Sequence, residues 1–145
     1  VCPVLDLEES CTLDEFFSRA ADALADRVGM THDKLVEVLS DREHETPTAL
    51  VPSVAAPHAI IDGETRFEML IARSRTGIRF CDDAPEVKTI FVLVGTPDER
   101  NFHLHALMSI AQMSELPDFP QQWRRAQSEN DLRDILLLSD RTRHD

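Results

Sequence analysis

The 145-residue chain contains few cysteines and has little positive charge. Its three cysteines, Cys2, Cys11 and Cys81, are an odd number, and no two form a C-x-x-C pair. This pattern speaks against a disulfide framework and against a cysteine-rich metal site. The formal net charge is −12. Because such a surface repels phosphate backbones and anionic lipid headgroups, we expect neither nucleic acid nor a membrane surface as a partner.

The sequence also lacks long apolar runs, internal repeats and low-complexity segments. No run approaches the ~20 apolar residues of a membrane-spanning helix, and no basic-then-apolar leader opens the chain at Val1. Four glycines and eight prolines argue against a linker. We expect a single cytoplasmic domain over residues 1–145 with reduced thiols and no direct membrane insertion. A first residue other than methionine is compatible with excision from a longer parent chain.

Helical signals occupy both ends of the sequence. Thr12-Leu13-Asp14-Glu15 has the pattern of a capping box, and apolar residues at helical spacing follow it. The predicted helices cover about residues 13–27, 31–42 and 103–111, with shorter helical segments near 123–126 and after 128.

Strand signals occupy the middle of the chain, and Val87–Val94 is its most apolar, β-branched run. Such a run predicts a central strand that is covered on both faces. Pro47 and Pro52 predict a loop over residues 42–52. The predicted strands cover residues 1–7, 54–57, 67–74, 78–80 and 87–94. Strands with helices before and after them predict an α/β fold, a three-layer α/β/α sandwich around a mixed central sheet of four to five strands.

Two of the six histidines, His58 and His103, lie at positions that are typical of active sites. His58 follows the apolar stretch Val54–Pro57, whose proline restricts the preceding backbone. His103, followed by His105, begins a predicted helix after the loop that ends the central strand. Sites in α/β sheets collect at the carboxyl ends of strands, and a helix start suits an anion. His58 and His103 can therefore flank one phosphate-sized site.

Several interpretations of these histidines compete. Zinc needs three or four ligands, whereas His103-x-His105 lacks i, i+4 spacing and no cysteine cluster accompanies it. A Ser-His-Asp hydrolase needs an exposed nucleophile, and no G-x-S-x-G motif is present. Phosphoryl transfer through a histidine needs only a nucleophilic nitrogen, a second polar group and positive charge. Of these chemistries, phosphoryl transfer with no metal and no cofactor needs the fewest residues, and a strand-end histidine without a catalytic role stays an open alternative.

A combination of motifs resembles a known family. Arg42-Glu43-His44-Glu45-Thr46-Pro47-Thr48 is followed by Val54–Ala59, so that His58 lies 58 − 42 = 16 residues after Arg42. Gly77-Ile78-Arg79-Phe80 and a helix with His103, Leu104, Leu107 and Ile110 come next in the same order. Together these motifs resemble the enzyme IIA domain of the fructose/mannitol class of the bacterial phosphoenolpyruvate-dependent sugar phosphotransferase system. Pro52-Ser53 stands where this family often has glycine.

The resemblance implies a role for three residues. His58 corresponds to the phosphorylated histidine, which accepts the phosphoryl group from the phosphocarrier HPr and passes it to a IIB domain or transporter. His103 corresponds to the second active-site histidine, and Arg42 to a cation whose planar fork pairs with phosphate oxygens. His105 is expected to be peripheral. The alternative is a regulatory IIA-like module, nitrogen-type or the cytoplasmic domain of an ion transporter, in which phosphorylation is a signal or absent.

Overall fold

A computed structural model describes residues 3–116 and residue 123. The elements in chain order are β1 (Val4–Leu7), α1 (Leu13–Val28), α2 (His32–Glu45), β2 (Ala49–Val51), β3 (Val54–Ala55), β4 (His58–Ile60), β5 (Phe67–Ile78), β6 (Val87–Gly95) and α3 (Arg100–Ser114). A 3-10 turn, Pro97–Glu99, joins β6 to α3. Apart from Trp123, the helical segments predicted near 123–126 and after 128 lie outside the described residues.

All six strands belong to one mixed sheet. Their order is β1-β5-β6-β3-β2, and β4 also pairs with β6. β1 is parallel to β5, and both β3 and β4 are parallel to β6, whereas the β5–β6 and β2–β3 pairs are antiparallel. β3 and β4 lie end to end along β6, because Ala56 and Pro57 separate them. This division and the additional strand β2 explain why the sheet has six strands instead of the predicted four to five.

Helices cover both faces of the sheet and create two apolar cores. Alternate side chains of β6 point into opposite cores, as expected for a central strand. Ile90 and Val92 pack in the core formed with α1 and α2. Phe91 and Leu93 pack in the second core, with α3 and the indole of Trp123. The predicted three-layer α/β/α sandwich is therefore confirmed, with β6 at its centre.

Local signals explain where α1 begins and ends. The Thr12 hydroxyl accepts a hydrogen bond from the Glu15 amide at 3.1 Å, and the Glu15 carboxylate accepts one from the Thr12 amide at 3.1 Å. This reciprocal pair is the predicted capping box. Gly29 ends the helix in the left-handed region, with φ 72°, which glycine adopts without a Cβ penalty. None of the helices in the described part of the chain is long and apolar enough to cross a membrane.

Three predicted boundaries are wrong. The stretch 42–52 is not a loop throughout, because α2 continues to Glu45 and Ala49–Val51 forms β2. Residues 78–80 do not form a separate strand, since Ile78 ends the continuous strand β5, whose pairing with β6 is irregular between Arg73 and Ile78. The third helix starts earlier and ends later than 103–111.

Candidate functional site

His58 is the first residue of β4, and hydrogen bonds fix the backbone on its N-terminal side. The Pro57 carbonyl accepts from the Leu93 amide of β6 at 2.9 Å, and the Ala56 amide donates to the Thr48 carbonyl at 3.1 Å. His58 itself pairs with Leu93 in the sheet. The expectation that an apolar strand ends at His58 therefore needs correction, because Ala56-Pro57 interrupts the line along β6 and His58 resumes it.

The hydrogen bonds of the half-buried His58 ring determine its tautomer. Nδ1 lies 2.8 Å from the Ala56 carbonyl oxygen, and because a carbonyl can only accept, Nδ1 carries the proton. Nε2 lies 3.2 Å from Nη2 of Arg42, and because a guanidinium can only donate, Nε2 presents its lone pair. The ring is thus neutral, with its nucleophilic nitrogen directed at a cation.

Arg42 lies in the last turn of α2, where a network of short-range contacts orients it. Its Nη1 donates to the Thr46 carbonyl at 3.1 Å. The adjacent Glu43 is only 4% exposed, and its carboxylate accepts from the Thr48 amide at 2.8 Å and from the Thr48 hydroxyl at 2.7 Å. A buried carboxylate needs such partners. Glu43 therefore ties the end of α2 to the start of β2 and positions Arg42 at His58.

His103 is the fourth residue of α3 and lies beside His58. The two ring centroids are 5.3 Å apart in an edge-to-face arrangement, and the Phe67 ring lies 6.0 Å away on another side. His103 is 4% exposed, and neither of its ring nitrogens has a hydrogen-bond partner among the described residues. Burial, and secondarily the proximity of His58, lowers the pKa of His103 to about 4. At pH 7 it is a neutral group with unused hydrogen-bonding capacity.

Gly95, at the end of β6, leaves room for this histidine pair. A Cβ at this position would lie 3.1 Å from the Phe67 ring, 3.3 Å from the Arg66 carbonyl oxygen and 3.8 Å from Nδ1 of His103. The absence of a side chain therefore permits the close packing of Phe67 and His103 against the strand. Sequence reasoning assigned no role to Gly95 or Glu43. The sequence could have identified Glu43, because this residue follows Arg42 in the motif that led to the family resemblance.

Among the described residues, no other histidine makes a hydrogen bond or ring contact with Arg42, His58 or His103. His105 is exposed on α3, and no hydrogen bond or ring contact joins it to another residue within 3–116. His32 connects α1 and α2 through hydrogen bonds to Ser18 and Asp33, and the Asp33 carboxylate raises the pKa of His32. In the part of the chain that the structure describes, no three His, Cys, Asp or Glu side chains are grouped to hold a metal ion.

Exposed apolar side chains lie on the elements that carry and flank the two histidines. Large apolar residues with exposures between 40% and 66% occur on β2, β4 and α3. We call this set the apolar rim; it consists of Leu50, Ile60, Phe102, Leu104 and Met108. Exposed apolar side chains, where they are contiguous, mark surfaces that bind other proteins.

Comparison with known proteins identifies a family for the chain. The family described as "Phosphoenolpyruvate-dependent sugar phosphotransferase system, EIIA 2" matches residues 5–138. The fructose-specific EIIABC component of the phosphotransferase system of Bacillus subtilis (strain 168) is 24% identical over 119 residues. That alignment covers 80% of this chain but 19% of the relative, so the chain spans about a fifth of the relative's length.

Solved structures show the same fold. The nitrogen regulatory protein IIA-Ntr from Neisseria meningitidis superposes with a TM-score of 0.83 at 26% identity, covering 92% of this chain and 91% of that one. The IIA mannitol domain from Escherichia coli has a TM-score of 0.73 at 19% identity, with 92% and 94% covered. In a complex with phosphorylated IIB-mannitol, the Escherichia coli protein gives 0.74 at 18% identity, with 92% and 93% covered. The resemblance read from the motifs is confirmed, and the chain belongs to the EIIA 2 family of the phosphoenolpyruvate-dependent sugar phosphotransferase system.

Proposed function

We propose that this chain is a phosphocarrier domain that accepts a phosphoryl group on Nε2 of His58 and passes it to another protein. The orientation of the His58 ring carries the proposal. Its Nδ1–H donates to the Ala56 carbonyl, and the Nε2 lone pair therefore faces the Arg42 guanidinium. A neutral imidazole nitrogen with a fixed tautomer is the nucleophile that such a transfer needs.

The transfer forms one bond and breaks another. The Nε2 lone pair of His58 attacks phosphorus, a P–N bond forms, and the bond between phosphorus and the donor nitrogen breaks with its electron pair returning to the donor. Arg42 then exchanges its contact with Nε2 for contacts with the phosphoryl oxygens, to which its planar fork is suited. The Ala56 carbonyl continues to accept from Nδ1–H and stabilises the positive charge of the phosphorylated ring. No metal or cofactor takes part.

His103 supports the phosphoryl group in this proposal. Its ring is 5.3 Å from that of His58, and its nitrogens lack partners among the residues described. A dianionic phosphoryl group beside it supplies an acceptor for a His103 N–H. The proposal therefore explains why a buried polar side chain is left without a hydrogen bond, a feature that is rare in folded proteins.

The partners we propose are proteins in the cytoplasm. The apolar rim beside His58 and His103 suits docking of a protein surface. The family match over residues 5–138 supports a single IIA-like domain, and the mannitol relative is known in a complex with phosphorylated IIB. We infer that an HPr-like carrier donates the phosphoryl group and that a IIB domain or transporter segment receives it.

A regulatory function is the second candidate, favoured by one observation. The Neisseria nitrogen regulatory protein IIA-Ntr superposes at a higher TM-score and identity than the Escherichia coli mannitol domain. In a regulator the same His58 chemistry loads the protein, but the phosphorylated form acts by binding a target. The two candidates therefore agree on the acceptor residue and differ in the fate of the phosphate.

One labelling experiment in two stages tests both candidates. In the first stage the chain is incubated with phosphoenolpyruvate, enzyme I and HPr, and we expect one acid-labile, base-stable phosphate per chain. His58→Ala abolishes the label, whereas His44→Ala, which removes an exposed histidine, retains it. Absence of label under conditions that phosphorylate a reference IIA domain contradicts the proposal. In the second stage a IIB domain is added: loss of label to IIB identifies a carrier, and retention identifies a regulator.

A further inference from the structure

A second candidate site lies at the opposite end of the β5–β6 strand pair from His58. It is a cavity of about 210 Å³, lined by Arg73, Ser74, Arg75, Lys88 and Trp123. Leu93, the β6 partner of His58, is 93 − 88 = 5 residues from Lys88, roughly 17 Å along an extended strand. The cavity is therefore separate from the histidine pair, and the phosphoryl chemistry proposed above does not use it.

Both strands are irregular where they line this cavity. On β6 the amides of Lys88 and Thr89 donate to the same carbonyl, that of Ser53, at 3.0 and 3.2 Å. On β5, five residue steps from Arg73 to Ile78 oppose two steps of β6, from Thr89 to Val87. Irregularities of this kind redirect side chains and occur preferentially beside functional sites. Here they bring basic side chains from both strands to one cavity.

The described side chains around the cavity carry more positive than negative charge. Arg73 is buried, donates to both oxygens of Asp6 at 2.8 and 2.5 Å, and donates to the Trp123 carbonyl at 2.9 Å. Arg75 is only 3.5 Å from Asp6 and remains partly exposed. Among the described residues, no carboxylate lies within ion-pair distance of Lys88. Among the described residues, three cations adjoin the cavity and a single carboxylate pairs with two of them, in a chain whose net charge is −12.

We propose that this cavity binds a small anion that carries a phosphate or carboxylate group. Lys88 and Arg75 contact the anion directly, while the Asp6-bound Arg73 adds fixed positive charge. The cavity volume falls below the roughly 300–1,000 Å³ of pockets for drug-sized ligands. Its size suits inorganic phosphate or a short-chain acid.

Trp123 provides a direct measurement, because it lines the cavity and is the single tryptophan of the chain. The protein is titrated with inorganic phosphate and, separately, with citrate, at constant ionic strength maintained with chloride. We expect a saturable change in tryptophan fluorescence with at least one of the two probes. Lys88→Gln and Arg75→Gln each weaken binding about tenfold, the loss expected for one hydrogen bond to a charged group.

A matched variant separates a site from general charge attraction. Arg79→Gln removes the same charge from an exposed arginine that pairs with Asp82 outside the cavity, and it should bind the probes as the wild type does. Circular dichroism confirms that each variant is folded. A response to both probes that never saturates, or equal affinities for Lys88→Gln and wild type, overturns the proposal.

A second pair of variants distinguishes this site from the histidine site. Phosphate could also bind at Arg42 and His58, so Arg42→Gln and His58→Ala should leave the fluorescence titration unchanged. Loss of the response in Arg42→Gln but not in Lys88→Gln assigns it to the histidine site and overturns the proposal. The titration needs no phosphohistidine, so its outcome is independent of whether His58 accepts a phosphoryl group.

Discussion

The two ends of the β5–β6 strand pair place arginine in opposite settings. At one end, Arg42 contacts a ring nitrogen and a backbone carbonyl, and both partners are neutral. At the other end, Arg73 is buried and both oxygens of Asp6 accept from its fork. A guanidinium with neutral partners can transfer its hydrogen bonds to an incoming phosphoryl group at little cost. A buried guanidinium that is paired with a carboxylate stabilises the fold and is not available for exchange.

The substitutions Asp6→Ala at one end and Arg42→Gln at the other should separate the arginine that stabilises the fold from the arginine that supports transfer. Asp6→Ala removes the carboxylate that accepts from the buried Arg73, and loss of one partner of such a pair costs about 3–5 kcal/mol. Arg42→Gln changes the free energy of unfolding by less than about 1 kcal/mol, because the side chain is half-exposed and its partners are neutral. It slows phosphoryl transfer by about 100-fold or more, as loss of one preorganised donor does. Urea denaturation and the initial labelling rate measure the two effects.

The control for Asp6 is an exposed ion pair of the same type. Asp82→Ala removes the partner of Arg79, and both side chains are largely exposed, so its cost is at most about 1 kcal/mol. If Asp6→Ala unfolds at the same urea concentration as Asp82→Ala, the buried pair does not stabilise this end. If Asp6→Ala is destabilised and Arg42→Gln equally so, the contrast between the two arginines disappears.

The sequence predicted the residues at the histidine end of the molecule but not the cavity lined by Arg73, Arg75 and Lys88. The spacing of 16 residues between Arg42 and His58 is a family motif, and the structure brings the two side chains to 3.2 Å. The cavity depends on Asp6 and Arg73, which are 67 residues apart, and on irregular strand pairing. Neither the contact between distant residues nor the irregular strand pairing leaves a local sequence pattern, so no motif predicts the cavity.

The same distinction explains which elements were predicted correctly. α1 was predicted to within a residue because its capping box and terminal Gly29 are local signals. The end of α2 and strand β2 were missed because a buried side-chain contact, which propensity and proline signals do not reveal, decides them. The Glu43 carboxylate, buried at the junction, takes both hydrogen bonds from Thr48 and converts an apparent proline-rich loop into an ordered connection.

Two glycines give a second comparison of the two ends. Gly77 has φ 89°, and an added Cβ would lie 3.0–3.1 Å from the Cβ and Cα of Glu86. Gly77→Ala should therefore cost about 2–3 kcal/mol, from left-handed strain and backbone contact together. Gly95 has no positive φ, and its nearest obstacle is the Phe67 ring. Gly95→Ala should cost about 1 kcal/mol or less.

The two substitutions should affect phosphoryl transfer in the opposite order to stability: Gly95→Ala should have the larger effect on transfer, and Gly77→Ala the smaller. Gly95→Ala displaces Phe67 and with it His103, so labelling of His58 slows although the protein remains stable. Gly77→Ala lowers the urea midpoint but leaves the labelling rate of the folded protein unchanged. Equal labelling rates for Gly95→Ala and wild type would show that the spacing around His103 is not critical for transfer.

A gain in stability is expected at His103, where function and stability are opposed. His103→Phe keeps a ring against Phe67 but removes two buried nitrogens that lack partners in the described structure. Relief of an unsatisfied buried polar group should raise the free energy of unfolding at pH 7 by about 1 kcal/mol. Labelling of His58 should slow, because the variant cannot donate to the phosphoryl group. Urea denaturation and the labelling assay measure both, with the exposed His105→Phe as the control.

The pH dependence of stability separates this residue from the ion pair at the other end. The pKa of His103 is lowered from 6.5 to about 4, so between these values the unfolded chain binds a proton that the folded chain does not. Stability therefore falls as the pH drops through this window, and His103→Phe removes that loss. Asp6, whose pKa is lowered mainly by its hydrogen bond to Arg73, contributes stability that is lost only below its ordinary value of 3.8. If His103→Phe and wild type lose stability in parallel between pH 6.5 and 4, His103 is not the buried neutral base that the proposed phosphoryl site requires.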